Sequence, residues 1–71
     1  RSCDEVLAAL DEDTLLLCTY VTRELQEWSV ADEEARFVRT LADDCSLGVI
    51  VLADGRIAYA NEEQIRVIAA G

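Results

Sequence analysis

Apolar residues recur along this chain in two different rhythms, and the change between them falls near residue 47. From Thr14 to Trp28 the spacing is helical. Leu17, Val21, Leu25 and Trp28 form one stripe of a roughly 3.6-residue period, and Thr22, Arg23, Glu24, Gln26 and Glu27 fill the opposite face. Leu15 to Val21, taken alone, also contains β-favouring types and reads as a buried strand. No Gly or Pro separates it from the helical half, so one helix over 14–28 is the expectation. Ser29 is an N-cap for a second helix over 30–45, where Val30, Glu34, Phe37, Leu41 and Cys45 share a line that Val38 and Ala42 widen. Ahead of both, Ser2 and Glu5 have the spacing of a capping box, which predicts a short helix over 3–10 with Val6, Leu7 and Leu10 on one side. The cluster Asp11-Glu12-Asp13 marks a break and a negatively charged helix start.

After residue 47 the rhythm is that of strands. Leu47-Gly48-Val49-Ile50-Val51-Leu52 is short, apolar and branched, as a strand buried on both faces would be. Ala53-Asp54-Gly55 is the natural turn, and Arg56 to Ala60 forms the return strand with Ile57 and Tyr59 on one face. Asn61, with Glu62, Glu63 and Gln64 behind it, reads as the cap and first turn of a last helix ending near Ala70. The predicted fold is a single small α+β domain over 1–71, with three helices, a β-hairpin and a C-terminal helix. No internal repeat, linker or low-complexity segment is visible. A lone hairpin is marginal in water. Val49, Ile50, Val51 and Leu52 place apolar side chains on both of its faces, so dimerisation is expected to complete the sheet.

The run Gly48-Val49-Ile50-Val51-Leu52-Ala53-Asp54-Gly55-Arg56-Ile57-Ala58-Tyr59-Ala60-Asn61 resembles the opening of a PAS sensor domain. In that family a strand, an Asp-Gly turn, a second strand ending in Tyr-x-Asn and a capped helix follow in this order. The resemblance spans residues 42–70 and implies a signal-transduction setting, with the helix before Gly48 matching a lead-in helix that pairs two protomers. A PAS domain encloses its ligand with three further strands, which these residues do not include, so no cofactor is carried over. Glu62-Glu63-Gln64 also replaces the small residue the family commonly has soon after the Asn.

Charge narrows the choice of partners. Fifteen acidic residues oppose six basic ones, all Arg, for a net charge of −9. Such a surface repels phosphates and anionic lipid, which argues against nucleic acid and membrane partners. The longest unbroken apolar runs, Val6 to Leu10 and Val49 to Ala53, fall far short of the ~20 residues of a membrane span. Dense carboxylates without Lys resemble haloarchaeal proteins, although a GC-rich genome produces the same preference for Arg. A chain of 71 residues buries only roughly 60% of its unfolded surface, which favours added stability from an oligomer. Cys3, Cys18 and Cys45 form neither an even disulfide set nor a C-x-x-C pair. The expectation is buried free thiols in a cytoplasmic protein, without a zinc site because His is absent.

Candidate chemistry is sparse. Without His, neither Ser nor Cys has its usual general base. The clusters Asp11-Glu12-Asp13, Glu33-Glu34 and Asp43-Asp44 lack the alternating oxygen spacing of a calcium loop. The chain is therefore expected to be neither an enzyme nor a cofactor carrier. It is expected to be a non-catalytic interaction or dimerisation module of a signalling or regulatory protein, binding a copy of itself or another protein. The candidate interface comprises Leu17, Val21, Leu25 and Trp28 on the helical stripe, and Val49, Val51, Ile57 and Tyr59 on the hairpin. The alternative is a small-ligand sensor whose pocket forms between protomers.

Overall fold

A computed structural model describes residues 5–69, and these residues form seven antiparallel strands in two sheets. Sheet A is a meander of β1 (Glu5–Asp11), β2 (Thr14–Thr19), β3 (Glu24–Ser29) and β4 (Arg36–Ala42), paired in that order. Sheet B is a shorter meander of β5 (Gly48–Val51), β6 (Ile57–Ala60) and β7 (Ile65–Ile68). A single turn of 3-10 helix, Ala31–Glu33, lies between β3 and β4.

This overturns the α+β expectation: there is no α-helix among the described residues, and the segments predicted as helices are strands. Ser2, Cys3 and Ala70, at the ends of two predicted helices, lie outside the described residues. The physical reason is that capping chemistry is shared between helix starts and tight turns. Asp11 Oδ1 accepts the backbone N–H of Asp13 at 2.8 Å, closing the β1–β2 hairpin where a helix start was expected. Asn61 Oδ1 accepts the N–H groups of Glu63 and Gln64 at 2.8 and 3.1 Å, closing the β6–β7 turn in the same way. The stripe from Leu17 to Trp28 is interrupted by a turn with no Gly or Pro. Arg23 occupies the left-handed region there (φ 61°), and its N–H bonds the Thr19 carbonyl at 2.7 Å. Leu15, Leu16 and Leu17 are consecutive apolar residues because both faces of β2 carry apolar side chains, and such a run does not alternate.

The hairpin around Asp54-Gly55 is present, with Val49 opposite Tyr59 and Val51 opposite Ile57. Gly55 takes φ 91°, which a side chain would resist, and Asp54 Oδ1 accepts the Arg56 N–H at 3.1 Å. The expectation that dimerisation completes this sheet is corrected: its third strand is β7 of the same chain, where Ile68 pairs with Ile57 and Ile65 with Ala60.

Cross-strand partners point to the same face of a sheet, so the register divides the side chains. One face of sheet A carries Ala8, Leu16, Cys18 and Leu25, and one face of sheet B carries Val49, Val51, Ile57, Tyr59 and Ile68. These two faces meet in the core, with β1 running beside β5 along the seam. Cys18 is bonded to Cys45, which precedes β5, so a covalent link joins β2 to the segment leading into sheet B. Both half-cystines are at most 1% exposed. The expectation of free buried thiols is thus corrected for Cys18 and Cys45. Disulfides persist in oxidising compartments, so the argument for a cytoplasmic setting from unpaired cysteines no longer applies.

The bridge spans 27 residues of sequence, a loop length at which a disulfide contributes about 3–4 kcal/mol by restricting the unfolded chain. Replacing Cys18 and Cys45 together by Ala is expected to lower the melting temperature by about 12–30 °C for a domain this small. Calorimetry with and without a strong reductant checks this. Identical melting of oxidised and reduced protein refutes it.

Candidate interaction surfaces

Polar contacts tie the two sheets together at the end where the β2–β3 and β6–β7 turns lie. The left-handed turn at Arg23 points its carbonyl at Cys45, whose N–H it accepts at 3.1 Å. The Arg23 guanidinium reaches across to Glu62 and donates from Nη1 and Nη2 to the two carboxylate oxygens at 3.2 and 2.8 Å. This hydrogen-bonded cation holds the Glu62 carboxyl at about 2, well below the ordinary 4.5, and the Glu62 carboxylate in turn raises the Arg23 guanidinium above its usual value. Asp44 forms a second tie. Its Oδ1 accepts the Tyr59 hydroxyl at 2.6 Å, its carbonyl accepts Asn61 Nδ2 at 2.8 Å, and Arg66 lies 3.6 Å from its Oδ2. Burial, reinforced by the Asp44 charge, pushes the Tyr59 phenol up to about 12, so it remains a neutral donor at any ordinary pH. These groups position the sheets, and among the described residues no cluster of metal-ligating side chains accompanies them.

The opposite faces of both sheets are uncovered. On sheet A the register places Leu7 beside Leu17, and Leu15 beside Trp28 and then Phe37. Trp28 and Phe37 meet edge to face with ring centroids 5.8 Å apart. Trp28 Nε1 donates to Gln26 Oε1 at 2.9 Å, which satisfies the indole without covering its ring. Leu7, Leu15, Leu17, Trp28, Val30 and Ala35 line a shallow groove of about 300 Å³ there. On sheet B the outer face carries Ile50, Ala58 and Val67 in one row and Gly48, Ala60 and Ile65 in the next. A second apolar groove of about 340 Å³ runs over Gly48, Ile50, Ala58, Ala60 and Ile65 and is bordered by Val6, Val49 and Tyr59. Ile65 is 75% exposed and Ile50 59% exposed. Isolated exposed apolar residues are ordinary, whereas two contiguous apolar faces on so small a protein are candidate interaction surfaces.

The eight residues predicted to form an interface are separated by the fold. Leu17 and Trp28 lie together on the outer face of sheet A. Leu25, Val49, Ile57 and Tyr59 are buried in the protein's own core, and Val51 packs against it. Val21 sits in the β2–β3 turn, exposed and away from both grooves. Leu7, Leu15, Ile50, Ile65 and Val67 escaped prediction. Their signal was the unbroken Leu15-Leu16-Leu17 and Val49-Ile50-Val51 runs, in which one face of each strand had to remain uncovered if the other formed the core.

Because the Glu62 carboxyl is depressed in the folded state, its contribution is complete above about 4.5 and is lost as pH falls towards about 2. Both partners are about half exposed, so the effect is modest and screened by salt. Glu62→Gln is expected to lower the denaturation midpoint at neutral pH and to match the wild type near pH 2. A constant difference across that range, followed by chemical denaturation, contradicts this assignment.

No family model, curated protein or solved structure matches this chain.

Proposed function

We propose that this protein is a non-catalytic interaction module that acts by protein–protein association through the outer faces of its two sheets, with a second copy of itself as the first partner. The observation that carries this reading is the pair of contiguous apolar faces. Leu7 and Phe37 on one side, and Ile50, Ile65 and Val67 on the other, remain exposed after the chain has formed its core, and Leu15, Leu17 and Trp28 beside the first pair are only half-buried. Fully covering a side chain of this size stabilises an assembly by roughly 1.5–3 kcal/mol. A few such residues per face therefore outweigh the usual cost of association only if they are covered together. Paired aromatics such as Trp28 and Phe37 are the residue types that dominate interface cores.

The charge opposes association without preventing it. Each copy carries −9, so approach is repulsive at low ionic strength, whereas screening shortens the reach of that repulsion to roughly 8 Å at physiological salt. Apolar contact is insensitive to this screening, and strongly excluded salts strengthen it. The same dependence is the ground for reading the acidic surface as suited to high salt.

Light scattering coupled to size exclusion at micromolar protein is expected to give a mass of at least two chains. The oligomeric fraction should rise as salt is raised from tens of millimolar to molar. A folded monomer under all these conditions overturns the proposal.

A further inference from the structure

The two sheets are successive copies of one pattern. Advancing by 42 residues brings Leu15, Leu16, Leu17 and Cys18 of β2 onto Ile57, Ala58, Tyr59 and Ala60 of β6. The same step brings Leu7 and Ala8 of β1 onto Val49 and Ile50 of β5. Across the β2–β3 turn the step becomes 40, because two more residues separate Cys18 from Leu25 than separate Ala60 from Ile65, taking Leu25 to Ile65 and Trp28 to Ile68. The asymmetry lies in which faces are used. Ala8, Leu16, Cys18 and Leu25 form the covered face of sheet A, and their equivalents Ile50, Ala58, Ala60 and Ile65 form the outer face of sheet B, on which Ile50 and Ile65 are exposed, Ala60 is half-buried and Ala58 is buried. Leu7, Leu15, Leu17 and Trp28 form the uncovered face of sheet A, and their equivalents Val49, Ile57, Tyr59 and Ile68 form the covered face of sheet B.

Sheet B therefore packs on sheet A through unlike faces. A contact of this kind does not use itself up. The outer face of sheet B repeats the surface that received sheet B, and the outer face of sheet A repeats the surface that sheet B used to dock. Units that cannot bury both faces alone bury them by stacking with neighbours of the same kind.

We infer that a second copy of this chain docks head to tail, its sheet A outer face on the sheet B outer face of the first, continuing the interface that already joins the two sheets. Unlike-face association closes into a ring or runs on as a filament. This inference rests on the interaction reading above and adds the identity and polarity of the docking surfaces.

Two exposed-face variants test it. Leu7→Lys places a charge in the sheet A groove and Ile50→Lys places one in the sheet B groove, and neither residue belongs to the core. Each variant alone is expected to be monomeric by light scattering, with an unchanged circular dichroism spectrum. An equimolar mixture is expected to give a mass twice that of either and no larger, because each retains the one face the other lacks. Dimerisation of either variant by itself means that like faces pair; this overturns the head-to-tail inference while leaving the interaction reading standing. A wild type that is monomeric throughout overturns both. A wild-type oligomer whose two variants remain monomeric when mixed also overturns the inference.

Discussion

The contact between the inner faces of the two sheets is the constraint on which the remaining structure depends. Sheet B has only three short strands, and a ribbon of that size gains little from its own hydrogen bonds. Its stability comes from laying Val49, Ile57, Tyr59 and Ile68 against Leu16, Cys18 and Leu25. Once that face is committed, the alternation of side chains along each strand leaves the other row of aliphatics no cover within the chain. The apolar outer surfaces are thus a direct result of where the core lies.

Polar groups at the seam settle the register of that contact. An apolar face tolerates sliding, whereas Tyr59 donating to Asp44, Asn61 to the Asp44 carbonyl and Cys45 to the Arg23 carbonyl do not. Each engages a specific atom near or within the buried region, where an unmatched donor or acceptor is costly. Aliphatic burial supplies the driving force, and a small number of directional bonds select one arrangement of the sheets.

The hairpin between Val49 and Tyr59 was legible in the sequence because Asp54-Gly55 permits few other conformations and the flanking residues are β-branched. Sheet A was not. Its turns use Asp11 and Arg23, and neither residue type distinguishes a hairpin from a helix start or a helical surface. Leu17, Val21, Leu25 and Trp28 satisfy a helical period by coincidence: two belong to a β-strand face, one to the opposite face and one to a turn. The repeat was hidden for a related reason. Matched positions such as Leu16 and Ala58, or Cys18 and Ala60, share only smallness or apolarity, and the step between copies changes across the β2–β3 turn. The apolar character of both sides of one strand was readable. Which side faces outward emerged only once the strands had been assigned their faces.

The bridge from Cys18 to Cys45 has a geometric consequence. It anchors β2, a middle strand of sheet A, to the entry of sheet B within the buried core, and so limits how far the two sheets can part there. In any assembly that repeats one angular step from sheet to sheet, a small error in the step multiplies with every addition. It decides whether the last member meets the first. A covalent stop between the two sheets narrows that step within the single chain.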